Sequence, residues 1–155
     1  MAFYSRKSPR IPNFDYASDQ YYFVTICTHN KKCIFGEPNA LNIFGKIAYR
    51  DLCDIPQHFD HLQIDQCIVM PNHIHAIIVV GCDNQDGKRP NLNVALGQYK
   101  SGVARKIHKI EPELRIWQRS YHDHIIRSKE SYLKIWEYII TNPERWGEDC
   151  FFCTF

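Results

Sequence analysis

The spacing of apolar and polar residues along the chain predicts an alternation of strands and helices. Residues 21–28 combine aromatic and β-branched side chains and are typical of a strand. Between residues 42 and 54 apolar side chains recur at helical spacing, and Pro56 follows, so we expect a helix that ends before the proline. Strand character returns over residues 62–70. Residues 73–80 are apolar on both faces after the start of the segment, which indicates a covered central strand.

A polar loop at residues 82–90 separates these elements from those of the second half of the chain. The pattern predicts a helix over about 92–110, a strand over 116–126 and a last helix over about 129–142, capped by Ser128. The order strand, helix, strand, strand, helix, strand is that of the ferredoxin-like split βαβ fold. The predicted class is therefore α+β: an antiparallel sheet with helices on one face, plus a C-terminal helix that bears a tyrosine.

Composition adds limits on where and how the chain works. Its 155 residues, 45% of them hydrophobic, suffice for one globular domain, which we expect to span residues 1–155. No apolar run is long enough to cross a bilayer and no signal peptide is evident, so we expect no membrane association and a cytoplasmic location. The seven cysteines include one C-x-x-C pair, Cys150 and Cys153, which alone does not make a zinc site.

Positive charge is clustered although the net charge is only +2. One cluster lies near the N-terminus and another on the helix predicted over residues 92–110. Such clusters are typical of a nucleic-acid-binding face, and equally of a solvated helix surface. The candidate DNA-binding residues are Arg6, Lys7, Arg10, Lys100, Arg105 and Lys106.

Two histidines begin the predicted central strand. His73 and His75 are two residues apart and therefore project from the same face, while Ile74 points into the core. Their nitrogens need partners on a covered strand, so the pair is a candidate metal site; the alternative is two hydrogen-bonded histidines at a sheet edge. The histidine-triad pattern of nucleotide hydrolases is excluded, because Ile77 occupies the position of its third histidine.

A second pair, His122 and His124, flanks a charged residue on the last predicted strand. Because Asp123 stands between them, that strand would not be anchored in the core as the first is. We expect no metal site there.

The last helix places Lys134, Tyr138 and Asn142 at positions i, i+4 and i+8. Tyr138 lies at the flank of the apolar stripe, where a helix can dock and still present a phenol to a neighbouring site. A half-buried boundary tyrosine is the alternative. A metal ion held by two imidazoles needs oxygen ligands as well, and the Asn142 amide could supply one.

These motifs together resemble one family, the REP-associated tyrosine transposases, which are HUH single-strand transposases related to small insertion-sequence enzymes. The segment 71–75 (Pro-Asn-His-Ile-His) is similar to the HUH motif, and 137–143 (Glu-Tyr-Ile-Ile-Thr-Asn-Pro) is similar to the tyrosine-helix signature. Residues 21–28 and 117–127 also match. The resemblance covers about residues 10–147.

The resemblance implies a DNA transposase-like single-strand endonuclease and ligase with Tyr138 as nucleophile. His73, His75 and Asn142 would bind Mg²⁺ or Mn²⁺, and the reaction would form a 5′-phosphotyrosine at single-stranded DNA beside a hairpin. An asparagine at position 142 matches the REP-associated group, whereas insertion-sequence relatives carry glutamine. Lys134 is a candidate for tuning the phenol, and a homodimer is a candidate assembly. The alternatives are a non-catalytic hairpin-binding protein and a metal phosphodiesterase without a covalent intermediate.

Overall fold

The computed structural model describes residues 19–81 and 91–149. The predicted loop 82–90, the basic residues Arg6, Lys7 and Arg10, and the Cys150–Cys153 pair lie outside the described residues. Along the chain the elements are β1 (Gln20–Cys27), β2 (Gly36–Glu37), β3 (Ala40–Leu41), α1 (Ile43–Cys53), α2 (Ile55–His58), β4 (Leu62–Met70), β5 (His73–Val80), α3 (Leu92–His108), β6 (His122–Ile126) and α4 (Lys129–Thr141).

The main sheet has four antiparallel strands in the order β4-β5-β1-β6. This is the strand order of a ferredoxin-like split βαβ fold, so the predicted α+β class is confirmed. Both central strands are covered: α1 and α3 pack on one face and α4 on the other. No described helix has the length and apolar character needed to cross a membrane.

Alternation along β5 divides the core into two clusters. Ile74, Ala76 and Ile78 face α1 and α3, whereas Ile77 and Val79 face α4. All eight residues of β5 are buried, as its apolar sequence predicts. The side chains of residues 73 and 75 therefore point toward α4, with the same parity as 77 and 79.

The helix predicted over residues 42–54 is α1, and its first turn is capped by Asn42, whose side chain accepts a hydrogen bond from Gly45 N. Helix α1 ends before Pro56, as predicted, but a second helix begins there. The proline lies in the first turn of the separate helix α2, where a missing N–H leaves no hydrogen bond unmade. The short hairpin β2–β3 and α2 were not predicted.

The strand predicted over residues 116–126 was wrong in its first half, because β6 begins only at His122. Trp117 makes a single bridge with Thr28, and Ser120 has a φ of 69°, a left-handed conformation that interrupts a strand. Trp117 also turns its indole N–H to the backbone oxygen of Lys100, 2.9 Å away. Helix α3 thus holds Trp117 in addition to its single bridge to Thr28.

Helix α4 docks by the stripe that its sequence predicts. Tyr132 and Ile139 are buried, and Ile135 and Trp136 are partly buried against the same cluster. The Tyr132 hydroxyl donates to Asp65 Oδ2 at 3.0 Å. Asp65 sits where the β4–β5 pairing register shifts, so this bond ties α4 to a particular position on β4.

Candidate metal and tyrosine site

His73 and His75 project side by side from the start of β5 onto the face covered by α4. Their ring centroids are 4.5 Å apart, and both side chains are almost completely buried. Burial lowers the pKa of His73 to about 4, although the nearby Asp149 carboxylate opposes that shift. Burial, together with the neighbouring His73, also lowers the pKa of His75 well below its usual value. Both imidazoles are therefore neutral at pH 7, which is the form that binds a metal ion.

The Nδ1 atom of each ring lies within hydrogen-bonding distance of a neighbouring side chain. The Asn72 side-chain amide donates to Lys31 O at 3.1 Å, so its Oδ1 is the acceptor that faces His73 Nδ1 at 2.8 Å. His73 therefore keeps its proton on Nδ1 and its lone pair on Nε2. Thr25 lies opposite His75 in the β1–β5 pairing, and its Oγ1 is 2.9 Å from His75 Nδ1.

Asp149, just after a short 3₁₀ helix (Trp146–Glu148), brings a carboxylate to the two histidines. One ligand atom from each of His73, His75 and Asp149 lies within 4.8 Å of the others. His73 Nε2 and Asp149 Oδ2 are 3.8 Å apart. This distance is too long for a hydrogen bond, but two donors that share one cation at about 2.1 Å lie roughly 3–4 Å from each other. The donor set and spacing fit a divalent metal ion.

Asn142 follows the last turn of α4 and is 2% exposed. Its side-chain nitrogen donates to Asp149 Oδ2 at 2.7 Å, which positions the carboxylate. Its buried oxygen meets no hydrogen-bond donor at bonding distance among the described residues. The amide thus has one end engaged with Asp149, and its oxygen remains an acceptor for a cation.

The Tyr138 ring lies 5.1 Å from the His75 ring, measured between centroids, in the same chain. Phe23 packs edge-on against Tyr138 at 6.3 Å and tilts against His75 at 5.2 Å, so it holds the phenol beside the imidazole. Tyr138 is 37% exposed and lines a cavity of about 180 Å³ with Thr141, Asn142, Arg145, Glu148 and Asp149. A phenol with one open side can meet a substrate that enters from solvent.

Comparison with solved structures shows a similar fold in a transposase and in a second protein described as one. A REP-associated tyrosine transposase, solved bound to a REP hairpin, superposes with a TM-score of 0.59 at 15% identity, covering 92% of this chain and 75% of its own. A Deinococcus radiodurans protein described as a transposase superposes with a TM-score of 0.55 at 18% identity, covering 90% of this chain and 98% of its own.

Sequence relatives occur in Haemophilus influenzae. One, an uncharacterized protein, is 35% identical over 164 residues, which cover 93% of this chain and 91% of the relative. Another, whose name places it among the REP-associated tyrosine transposases, is 25% identical over 139 residues, covering 86% of this chain and 75% of the relative. The chain is similar to the REP-associated tyrosine transposases in fold and, more distantly, in sequence. No protein-family model matches the chain.

The basic residues predicted on α3 lie away from the histidines. Lys100 donates to the backbone oxygens of Gln118 and Ser120 at 2.9 and 2.7 Å, and burial lowers its pKa. Lys106 pairs with Asp51 at 2.6 Å, and Arg105 lines a cavity between α1 and α3. Helix α3 covers the opposite face of the sheet from α4, so the structure does not bring these residues to the histidine pair.

Lys134 and the second histidine pair also lie outside the candidate site. Lys134 Nζ contacts the Glu130 carboxylate at 3.2 Å, and the side chains of both residues are largely exposed. His122 and His124 are exposed on β6 and belong to no metal-ligating cluster among the described residues.

Sequence reasoning missed Asp149, and it did not single out Thr25, Phe23 or Asn72 as supports of the site. The register of the sheet supplies Thr25, because it pairs directly with His75. No strand pairing or helical spacing in the sequence points to Asp149. It lies beyond the segment that resembles the family, and only the turn after α4 carries it back to the histidines.

Proposed function

We propose that the protein is a metal-dependent single-strand DNA endonuclease and ligase in which Tyr138 is the nucleophile. One observation carries this proposal: within one chain, the Tyr138 ring lies 5.1 Å from an imidazole of a cluster with metal-ligand spacing. A structurally similar transposase was solved with a REP hairpin, which supports a DNA hairpin as the substrate class. The candidate substrate is thus an unpaired strand next to a hairpin.

The metal would be held by His73, His75 and Asp149, with Asn142 as a further oxygen ligand and as the residue that positions Asp149. Two neutral imidazoles with a carboxylate and an amide suit Mn²⁺, and the oxygen ligands also suit Mg²⁺. A bound divalent ion would polarise a phosphoryl oxygen and offset the charge that develops there. The chain's own part is to keep both imidazoles neutral and oriented, through Asn72 and Thr25.

In the proposed reaction the Tyr138 oxygen attacks the phosphorus of a phosphodiester as the phenol proton passes to solvent. The bond from phosphorus to the 3′ oxygen breaks, and that oxygen leaves as a 3′-hydroxyl after protonation. The 5′ phosphate stays on the tyrosine as a phosphodiester. Bond types are conserved, so attack by a 3′-hydroxyl reverses the step and rejoins a strand without ATP. Phe23 contributes by holding the phenol beside His75.

The test uses hairpin-forming single strands taken from the DNA that flanks the gene, labelled at either end and incubated with Mn²⁺. We expect the 3′ label to migrate with the protein on a denaturing gel, and the 5′ label to leave as a shorter strand. Tyr138→Phe abolishes both products. Tyr49→Phe removes another exposed tyrosine hydroxyl, on α1, and keeps them.

Three results would contradict the proposal in different ways. An adduct that survives in Tyr138→Phe assigns the nucleophile to another residue. Cleavage by Tyr138→Phe without an adduct indicates a phosphodiesterase that uses water. Tight hairpin binding with no cleavage of any strand indicates a non-catalytic DNA-binding protein.

A further inference from the structure

An open basic groove lies at the same end of the sheet as the histidine pair. We use the name basic groove for the cavity of about 980 Å³ lined by His29, Lys31, Arg115, Trp117, Gln118 and Arg119. Its two walls are the turn after β1 and the segment before β6. These walls are joined by backbone hydrogen bonds from His29 N to Ile116 O at 2.9 Å and from Gln118 N to Cys27 O at 3.0 Å.

Three of the residues that line the basic groove carry positive charge. Lys31, Arg115 and Arg119 are exposed, and no lining residue is a carboxylate. Neither arginine forms an ion pair with a carboxylate in the part of the chain that the structure describes. Lys106, Lys134 and Arg145, by contrast, each contact an acidic side chain. Exposed cations in an open concave surface attract a polyanion.

Asn72 connects the basic groove to the candidate metal site. The Asn72 amide donates to the backbone oxygen of Lys31 and accepts from His73, at 3.1 and 2.8 Å. Cys27, two residues before His29, is the pairing partner of His73 across β1 and β5. A strand whose phosphate lies at the histidines therefore reaches the basic groove within a short distance.

We propose that the basic groove binds the phosphates of the unpaired DNA strand that adjoins the phosphodiester at the histidine pair. This inference rests on the proposed function. It assigns strand binding to Lys31, Arg115 and Arg119, none of which charge clustering along the sequence singled out. Recognition there does not depend on base sequence. Trp117 forms the floor, since its N–H is bound to Lys100 O and its ring packs on Phe35 and Tyr99.

The test measures binding in a Tyr138→Phe background, so that no covalent step contributes. The probe is a fluorescein-labelled oligothymidine, which has no self-pairing, and the readout is fluorescence anisotropy over a range of salt concentrations. Arg115→Gln with Arg119→Gln weakens binding roughly tenfold and makes the plot of log affinity against log salt shallower by about 1.4, the value for two lost phosphate contacts. The matched control is Lys46→Gln with Arg50→Gln, which removes the same charge from α1.

Each outcome decides the inference. Equal loss in both double variants means that net charge, not the basic groove, sets affinity, and overturns it. Failure of the Tyr138→Phe protein to bind oligothymidine, or a larger effect on a duplex of equal length, also overturns it. If the Arg115/Arg119 variant binds as before, and the protein with Tyr138 intact forms the adduct, the basic groove proposal fails and the nicking proposal stands. If the Arg115/Arg119 variant loses binding selectively, but the protein with Tyr138 intact forms no adduct, the basic groove proposal stands and the nicking proposal fails. Melting temperatures of all variants establish that they are folded.

Discussion

At the scale of single residues, the site depends on buried polar groups that support one another. His73 and His75 are neutral because burial penalises their charged forms, and Asn72 and Thr25 fix their Nδ1 atoms. Asp149 adds the negative charge that a divalent ion requires, and Asn142 holds it in place. Both histidines could be read from the sequence, because alternate positions on a strand share a face. Asp149 could not, because its approach depends on a turn whose path the local pattern does not encode.

The role of Asp149 predicts a specific loss of metal affinity. Asp149→Asn keeps the side-chain shape but removes the charge, and we expect Mn²⁺ to bind roughly 10- to 100-fold more weakly. Titration followed by the electron paramagnetic resonance signal of free Mn²⁺ measures this without DNA. Glu148→Gln is the control, since the neighbouring Glu148 is exposed and contacts Arg145 at 3.8 Å. Equal affinities in the two variants would remove Asp149 from the metal site.

At the scale of elements, α4 determines whether the phenol meets the imidazoles. The helix begins at a serine cap, because Ser128 Oγ accepts from Ser131 N at 3.0 Å. It then docks by Tyr132 and Ile139. The sequence predicted this stripe and the flanking position of Tyr138, since helical periodicity fixes both. It did not predict the break at Ser120, because a left-handed backbone conformation at a serine leaves no trace in the pattern of apolar and polar positions.

The docking of α4 can be weakened at one side chain. Ile139→Ala leaves a void in the cluster between α4 and the sheet, and we expect the free energy of unfolding to fall by about 3 kcal/mol. Leu133→Ala shortens a side chain on the same helix that is 49% exposed, and it should change this free energy by less than about 1 kcal/mol. Urea denaturation followed by circular dichroism compares the two variants. Similar losses in both would mean that α4 is not anchored through Ile139.

At the scale of the whole molecule, two layers of helices cover the central strands, and the candidate site lies within the layer formed by α4. The ferredoxin-like order was predictable, since two strand-helix-strand patterns in sequence leave few right-handed, uncrossed arrangements. The path of residues 142–149, which brings Asp149 to the histidines, was not predictable from the sequence. The site therefore places buried imidazoles within the folded core, so its protonation is linked to global stability.

This linkage predicts acid sensitivity of the metal-free protein. The pKa of His73 falls from an unfolded value of about 6.5 to about 4, so below pH 6.5 the unfolded state binds more protons than the folded state. Stability is therefore retained above pH 6.5 and lost as the pH falls toward 4. The His73 share of this loss is about 2 kcal/mol at pH 5. Urea denaturation in the presence of a chelator at pH 7.5 and pH 5 measures the difference.

Two variants separate His73 from the other titrating groups. His73→Gln should lose the His73 share of this acid sensitivity and keep that of His75, whereas His122→Gln, a change on the exposed strand β6, should keep both. If both variants respond to acid as the unchanged protein does, the buried imidazole is not its source.

The two outer strands of the sheet have a bearing on assembly. In the described part of the chain, β6 presents His122, Asp123 and His124 to solvent, and the ladder of β4 is irregular between Ile64 and Gln66. Charged and kinked borders discourage another polypeptide from extending a sheet by hydrogen bonding. Polymerisation through strand addition is thereby disfavoured. In a pair of molecules that associates through helices or loops, each would bring to that association its own phenol already beside its own imidazoles.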